Sequence, residues 1–351
     1  MQKTYRFGGK SFPAFSAALA IASVVLLIAL CMFGSARLSM EEVVRGALNR
    51  YFAIGEKSGN DGAIVNLRLM RTLMAYVTGA ALSVSGACMQ AVFGNPMAEP
   101  HVLGVSSGAA LGAAIATVFG LEATNLGLSA LSLCAFGGAI FAAAAVLALS
   151  RIDGRTGTAS LLLAGVAMGA FLSAMLSGLL ALNREKADSV YMWTMGSFAA
   201  ASWSKLRLAA PVTALGCLIS TLYARDLNLM LAGESDAYTL GLNVRRTRIL
   251  TLLLSTLMTA TVVSMTGVIG FVGLMVPHVA RLLVGPDHRR LLPACALMGG
   301  IYLMCMDTLA RSLFSSEIPV GVLTSLVGGP FFLFMLRKSR GARLRRRRKR
   351  A

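Results

Sequence analysis

Asp307 and Arg311 are a pair of residues whose types and spacing could carry out chemistry in this 351-residue chain. Asp307 lies deep in an apolar stretch near 291–310, and Arg311 follows four residues later. Residues four apart share one face of a helix, so the two side chains can form an ion pair. An ionisable residue inside a membrane helix otherwise marks a pathway for protons or ions. The spacing predicts a structural ion pair, which we favour, with a proton-relay carboxylate at Asp307 as the alternative.

A second pattern with possible chemistry is GxSxG, which occurs at residues 104–108. In hydrolases this pattern surrounds a nucleophilic serine on a sharp turn between a strand and a helix, whereas the residues here belong to an apolar helical stretch. The glycines also recur every four residues as far as Gly112, a spacing that allows close contact between helices. We interpret the stretch as a packing stripe; a membrane hydrolase with Ser106 and His278 as its dyad is the alternative.

Cysteine and histidine residues are too widely spaced in the sequence for a metal site. The six cysteines occur singly, most of them in apolar stretches, and no CxxC pair is present. The three histidines are also far apart, whereas metal-binding motifs place their ligands a few residues apart. No phosphate-binding GxxxxGK[ST] motif occurs either. The sequence therefore predicts no metal site, no bound cofactor and no site for ATP hydrolysis in this chain.

The composition places these residues in a membrane. Hydrophobic residues make up 56% of the chain and charged residues 14%, whereas a soluble domain has about 25% charged residues. Apolar stretches of about 20 residues, long enough to cross a bilayer as a helix, recur along the chain. We therefore predict an all-α integral membrane fold with about ten transmembrane helices, near 14–33, 66–91, 100–119, 127–149, 159–182, 204–223, 246–266, 268–285, 291–310 and 321–338.

The positive charge is concentrated at the C-terminal end. Ten of the Lys and Arg residues lie between Arg337 and Arg350, and without them the net charge of +18 falls to +8. Because basic residues stay on the cytoplasmic side, an even number of spans predicts that both termini are cytoplasmic. We interpret 1–338 as a single transmembrane domain with an uncleaved first span, and 339–351 as a basic cytoplasmic tail on anionic lipid rather than on nucleic acid.

A short motif that recurs in the two halves of the chain predicts two inverted repeats. The tripeptide Pro-His-Val occurs in Glu99-Pro100-His101-Val102 and recurs in Val276-Pro277-His278-Val279 in the second half. In the predicted topology, one copy follows a span that runs inward and the other a span that runs outward. Oppositely oriented units of this kind are common in transporters.

Two segments between spans carry polar groups. Residues 94–100 contain two prolines, which break a helix and place Asn95 and Glu99 near membrane depth. Irregular backbone at that depth either forms a tight turn or lines a pathway. In the loop 231–242, residues 234–240 have helix-forming character and are followed by Gly241, a typical helix C-cap. We predict a short cytoplasmic helix that faces a soluble partner, with an ordinary connector as the alternative.

Several motifs together resemble the permease subunits of type II ABC importers for vitamin B12, haem and ferric siderophores. They occur in the order of that family and span about residues 14–338, which is nearly the whole chain. The motifs are Leu67-Arg68-Leu69-Met70-Arg71, Gly86-Ala87-Cys88-Met89-Gln90, Asn95-Pro96-Met97-Ala98-Glu99-Pro100, Leu161-Leu162-Leu163-Ala164-Gly165, Gly233-Glu234 through Leu240-Gly241, Gly267-Val268-Ile269-Gly270-Phe271, and Glu317-Ile318-Pro319-Val320-Gly321.

The resemblance implies a vitamin B12 importer permease-like fold in the cell membrane and a set of partners. These partners are a second copy of the chain, two ATP-binding cassette ATPase subunits that use ATP and Mg, and an extracytoplasmic substrate-binding protein. This chain would be a transport subunit, not an enzyme, and would move its substrate inward by ATP-driven alternating access. Siderophore, haem, cobalamin and molybdate-type importers share these motifs. The alternative is an ion-coupled secondary transporter that uses Asp307.

The resemblance also implies roles for particular residues. Arg68, Arg71 and Arg311 match arginines that pair with carboxylates of the binding protein, a geometry that suits reversible docking. The gate and pathway residues would be Asn95, Met97, Thr158 and Ala159, although the family more often has Leu at position 97 and a relative has Ser at position 159. The residues that couple to the ATPase would be Gly233, Glu234, Ser235, Asp236, Ala237, Leu240 and Gly241.

Overall fold

The structure is a computed structural model that describes residues 7, 9–34, 39, 41, 43, 45, 60–121, 129–152, 155–156, 158–313 and 316–348. Within these residues the chain forms α-helices, three short 3-10 turns and one two-residue antiparallel ladder of β1 (Arg151–Ile152) and β2 (Arg155–Thr156). The helices are α1 (Phe12–Met32), α2 (Asn60–Phe93), α3 (Val105–Val118), α4 (Ala130–Leu149), α5 (Thr158–Leu182), α6 (Ala187–Thr194), α7 (Trp203–Leu222), α8 (Ala224–Met230), α9 (Glu234–Thr239), α10 (Val244–Thr266), α11 (Val272–Val284), α12 (His288–Ser312) and α13 (Val320–Arg348).

The helices agree with the ten predicted apolar segments. Seven of the described helices are long and apolar enough to cross a membrane, and three shorter apolar helices lie at Val105–Val118, Val272–Val284 and Val320–Met335. The short ones have local causes: Pro100 starts a 3-10 turn before α3, and the backbone is not helical from 267 to 271 before α11. The predicted all-α membrane fold is confirmed.

Helix α2 forms the centre of the bundle and packs against α7, α10, α11 and α12. Among the seven long helices it is the most buried, whereas α1 and α5 are the most exposed. Small residues allow the close packing: a Cβ on Gly79 would lie 2.0 Å from the carbonyl oxygen of Gly299, and one on Gly86 would lie 2.0 Å from that of Gly273. The fold thus has a tightly packed centre, with α1 and α5 at its periphery.

The glycine stripe on α3 is a packing surface, as its spacing predicts. A Cβ on Gly112 would lie 2.0 Å from the carbonyl oxygen of Cys134, and one on Gly108 would lie 2.3 Å from that of Gly138. Both contacts are with α4, so the backbones of α3 and α4 meet directly. This contact explains the regular spacing of glycine without any catalytic role for the GxSxG pattern.

The two copies of the Pro-His-Val motif lie in different local structures. Pro100 and His101 lie in a 3-10 turn before α3, whereas Pro277 and His278 lie inside α11. The inverted relation of the two halves therefore stays a prediction.

At the C-terminal end the backbone of α13 continues to Arg348, so the predicted tail extends the last membrane helix.

Candidate functional site

Five charged residues from α2, α12 and the segment after α12 form one network, called here the arginine cluster: Arg68, Arg71, Asp307, Arg311 and Glu317. The Arg71 guanidinium donates to Asp307 Oδ1 from Nε at 3.0 Å and from Nη2 at 2.9 Å. Its Nη1 donates to Glu317 Oε2 at 2.8 Å. Arg311 Nε lies 3.8 Å from Asp307 Oδ2. The predicted pair of Asp307 with Arg311 is present, but Arg71, on another helix, makes the closer contacts.

Arg68 and Arg311 also bind the end of α1. Arg311 Nη2 donates to the carbonyl oxygen of Leu30 at 3.0 Å. Arg68 Nη1 donates to the carbonyl oxygen of Cys31 at 3.0 Å and to that of Met32 at 3.3 Å. The last carbonyls of a helix have no partner within the helix, and positive charge at this end is favourable. The two arginines therefore fasten α1 to α2 and α12.

Burial differs within the arginine cluster. The side chain of Asp307 is 1% exposed, whereas that of Glu317 is 49% exposed. A buried carboxylate is stable only when it is paired and hydrogen-bonded, and Arg71 supplies both. The cluster contains three arginines and two carboxylates, so it has an excess of one positive charge. The pair of Arg71 and Glu317 forms the part of the cluster that is most accessible to solvent. The docking role of Arg68, Arg71 and Arg311 stays a prediction.

Residues 224–242 contain α8, α9 and the residues predicted to couple to an ATPase, and this stretch is called here the coupling segment. Helix α9 begins after Gly233, with φ 116°, and ends before Gly241, with φ 83°, a backbone conformation that favours glycine. Ala237 is buried, whereas Tyr238 is 77% exposed and Leu240 is 64% exposed. The predicted short helix with its glycine cap is confirmed, and it presents apolar surface away from the bundle.

Glu234 joins the coupling segment to two other helices. Its Oε1 accepts a hydrogen bond from Thr158 Oγ1 at 3.2 Å, and the same oxygen pairs with Arg248 Nη2 of α10. Thr158 is the first residue of α5. The structure therefore brings a predicted coupling residue and a predicted gate residue together. The role of Arg248 was not predicted, because no sequence motif connects the start of α10 with Glu234.

Asn228 of α8 anchors the coupling segment a second time. Its Nδ2 donates to Asp287 Oδ1 at 2.7 Å, and its Oδ1 accepts the backbone N–H of His288 at 2.9 Å and lies 2.8 Å from His288 Nδ1. Burial alone would raise the pKa of Asp287, but the hydrogen bonds from Asn228 and the Arg289 amide, with the charges of Arg290 and Arg289, lower it overall. Asp287 is therefore a stable anionic partner. No sequence motif indicated this anchor.

The other predicted gate residues lie in a separate turn after α2. Asn95 Oδ1 accepts the backbone N–H of Met97 at 3.0 Å, and the carbonyl oxygen of Asn95 accepts the N–H of Ala98 at 3.1 Å. An Asx turn of this kind closes the chain locally. Asn95 and Met97 are half-buried, and Ala159 is exposed next to Thr158. The turn interpretation is confirmed, and the gate role of these residues stays a prediction.

Ser106 and His278, the alternative hydrolase dyad, have other neighbours. The Ser106 hydroxyl contacts Nδ1 of His101, and the His278 ring packs edge-on against Phe331 with centroids 5.8 Å apart. In the part of the chain that the structure describes, no group of three or more His, Cys, Asp or Glu side chains could hold a metal ion. These positions give no support for hydrolase chemistry.

Comparison with known protein families supports the interpretation of this chain as a membrane transport protein. The FecCD transport family matches residues 21–338. This chain belongs to that family. The resemblance found in the sequence motifs is thereby confirmed, and the chain is a membrane transport permease rather than an enzyme.

Relatives in the family carry names from iron-chelate, haem and cobalamin transport. The chain is 45% identical over 271 residues to the cobalamin import system permease protein BtuC of Halobacterium salinarum, which covers 77% of this chain and 72% of that protein. It is 40% identical over 333 residues to the hemin transport system permease protein HmuU of Yersinia pestis, with 93% and 97% covered.

A solved structure with the same fold comes from an inward-facing ABC transporter assigned to the metal-chelate type. The two chains superpose with a TM-score of 0.79 and are 32% identical, and the match covers 93% of this chain and all of the other. The vitamin B12 importer permease-like architecture expected from the sequence is thus confirmed at the level of the fold.

Proposed function

We propose that this chain is the transmembrane subunit of an ABC importer that moves an iron chelate (ferric siderophore or haem) or cobalamin inward. Its relatives are named as permeases for these substrates. The observation that carries the proposal is the coupling segment. A short helix exposes Tyr238 and Leu240 while Glu234 ties it to the start of α5. An ATPase that docks on this helix would have a direct mechanical connection to a membrane-spanning helix.

The proposed mechanism is ATP-driven alternating access. ATP with Mg would bind to two ATPase partners, draw them together and displace the coupling segment of each permease subunit. This chain would bind no cofactor itself. The displacement would reach the predicted gates, where Thr158 and Ala159 begin α5 and where Asn95 and Met97 form the turn after α2.

We propose a homodimer with the substrate path between the two copies. Helix α5 exposes large apolar side chains along its length, including Leu163, Val166 and Phe171. In a membrane such residues contact either lipid or a second subunit. Cross-linking of single cysteines on α5 would distinguish these two cases, because only a subunit contact gives a covalent dimer.

On the opposite side of the membrane, the arginine cluster would receive the extracytoplasmic binding protein. Arg71 offers a guanidinium at the accessible edge, where Glu317 is its exposed partner. A carboxylate of the binding protein could pair with the same group in the bidentate geometry that arginine favours. Both termini would then be cytoplasmic, and reporter fusions at each terminus test that orientation in the cell membrane.

The ion-coupled transporter is the second candidate, and its case depends on Asp307. That carboxylate is buried against Arg71 and lies 3.8 Å from Arg311. Both of its oxygens accept hydrogen bonds from Arg71, and the side chain is 1% exposed, so it has little contact with solvent. The geometry therefore favours a structural role for Asp307.

The deciding experiment measures ATP hydrolysis and uptake in liposomes that contain the tagged permease and the ATPase that purifies with it. Binding proteins loaded with a ferric siderophore, haem or cobalamin are added one at a time. Stimulation of hydrolysis together with uptake of one labelled substrate supports the proposal and identifies the substrate. Uptake driven by a proton gradient without ATP would overturn it in favour of the secondary transporter.

A further inference from the structure

A groove of about 430 Å³ runs between α4 and α10 on the surface of the bundle. Its α4 wall consists of residues that share one face of the helix by their spacing, namely Ile140, Ala143, Ala144, Leu147 and Ala148. Three of these five residues are alanine, so the wall is recessed. Concave apolar sites of about 300–1,000 Å³ are typical of ligand pockets. The groove is therefore a candidate binding site rather than ordinary apolar surface.

The lining and length of the groove match one acyl chain. On the α10 wall, Leu253 is 49% exposed and Leu257 is 42% exposed, whereas the hydroxyl of Thr256 is buried. From Ile140 to Ala148 the α4 wall extends about 12 Å, at about 1.5 Å per residue. One leaflet of a bilayer is about 15 Å deep, half of a hydrocarbon core of about 30 Å. An extended lipid tail can therefore lie along the groove.

A positive charge lies toward the end of the groove at which α10 begins. Arg246 precedes Leu253 by two helical turns, so the two residues share one face of α10 about 10 Å apart. Arg246 is exposed, and its guanidinium has no ion pair or hydrogen bond among the residues that the structure describes. A long basic side chain beside apolar surface keeps its charged end in the polar layer. Arg246 can therefore reach the level of the lipid headgroups.

The end of α4 lies on the same side of the bundle as the start of α10. Arg248 near the start of α10 and Thr158 at the start of α5 both bond to the same carboxylate oxygen of Glu234. The connection 150–157 between α4 and α5 is therefore also on this side, and its sequence contains two arginines and one aspartate. Both walls of the groove thus lead toward a region with excess positive charge.

We propose that the groove binds one anionic phospholipid, with an acyl chain between α4 and α10 and the phosphate against Arg246. Basic pockets between membrane helices bind anionic headgroups. Because lipid tails are as apolar as the groove, the tail gives little selectivity, and the preference for an anionic lipid comes from the guanidinium. The proposal requires only that the chain spans a membrane. It does not depend on an ATPase or on the transported substrate.

Native mass spectrometry of the purified full-length permease tests the preference for an anionic lipid. Phosphatidylglycerol, which is anionic, and phosphatidylcholine, which has no net charge, are added with the same acyl chains. The wild type is expected to retain one phosphatidylglycerol at a roughly tenfold lower lipid concentration than phosphatidylcholine, and higher ionic strength is expected to reduce this difference. Arg246→Gln is expected to weaken retention of phosphatidylglycerol about fivefold and to leave phosphatidylcholine unchanged.

Matched variants separate the groove from general surface effects. Arg245→Gln removes an exposed arginine from another face of α10 and is expected to behave as the wild type. Ala144→Phe and Ala148→Leu each fill the groove and are expected to weaken retention of both lipids about fivefold. Ala20→Phe adds the same ring at an exposed alanine of α1 and is expected to change neither. Elution of each variant at the wild-type volume in size-exclusion chromatography verifies its fold.

Three results would overturn the proposal. They are equal retention of the two lipids by the wild type, equal losses in Arg246→Gln and Arg245→Gln, and wild-type retention in both groove-filling variants. Displacement of phosphatidylglycerol by inorganic phosphate would also contradict it, because the site would then bind a free anion. Loss of a dimer in both groove-filling variants would assign the groove to a second copy of the chain instead.

Discussion

The arginine cluster and the coupling segment both depend on ion pairs between different helices, but the burial of these pairs differs. In the cluster, the carboxylate of Asp307 is enclosed and Arg71 holds it with two nitrogen atoms. In the coupling segment, Arg248 is enclosed and the carboxylate of Glu234 is open to solvent. The difference indicates a fixed joint in the first case and a contact that can yield in the second.

The physical reason is the cost of leaving a charge without its partner. Separating Asp307 from Arg71 would strand charges inside the bundle, which is unfavourable by several kcal/mol. When Glu234 separates from Arg248, water can solvate the exposed carboxylate, so only the buried guanidinium of Arg248 is left without its partner. A joint that fastens α1 to α2 and α12 benefits from the first arrangement, and a moving segment needs the second.

The largest effect is expected for Asp307→Asn. The substitution leaves Arg71 and Arg311 buried without their anion, and we expect the free energy of unfolding to fall by about 3–5 kcal/mol. Thermal unfolding of the permease in detergent, monitored by loss of the monodisperse species, measures it. Glu317→Gln is the matched control at the exposed edge of the same cluster, with an expected loss of about 0–1 kcal/mol. Equal losses in the two variants would show that burial does not distinguish these carboxylates.

Glu234→Arg tests the more exposed of the two ion pairs, between Glu234 and Arg248. The new guanidinium faces Arg248, so the contact with Thr158 is replaced by repulsion. We expect ATP-dependent uptake to fall at least about tenfold, while membrane insertion remains close to wild type, because the apolar spans that direct insertion are unchanged. Uptake at the wild-type rate would remove Glu234 from the coupling mechanism.

Gly233→Ala probes the backbone of the same segment. A Cβ at this position meets nothing within 4 Å, but φ is 116°, so the expected cost of about 1–2 kcal/mol is backbone strain alone. We expect faster hydrogen exchange at 231–242 and weaker coupling of ATP hydrolysis to uptake. Gly178→Ala on α5 is the control, since its Cβ also meets nothing and its helical backbone suits alanine. Equal behaviour of the two variants would contradict the strain at Gly233.

The smallest effect is expected at the exposed edge of the arginine cluster. Glu317→Gln removes the charge that occupies one side of Arg71, which leaves its Nη1 more available to a carboxylate of the binding protein. We expect the loaded binding protein to bind up to about fivefold more tightly at low salt, with the gain lost at high salt. Surface plasmon resonance on nanodiscs measures this; weaker binding would mean that Glu317 itself contacts the partner.

Much of the fold could be predicted because its signals are local. Apolar stretches of membrane-spanning length indicated the helices, the spacing of Gly108 and Gly112 indicated a packing surface on α3, and Gly241 indicated the end of α9. Each of these features depends on residues within a few turns of one another. The irregular start of α11 was missed because the stretch 268–277 is apolar throughout, and hydropathy does not report backbone conformation.

The sequence by itself determined which segments lie in the membrane, which residues resemble those of the family, and that Asp307 needs a cationic partner. Only the tertiary structure decided that Arg71 is the closer partner, that Arg68 and Arg311 bind the end of α1, and that Glu234 meets Thr158 and Arg248. The reason is physical: hydropathy and helical spacing act over neighbouring residues, whereas these partners are brought together by the packing of helices that are far apart in sequence.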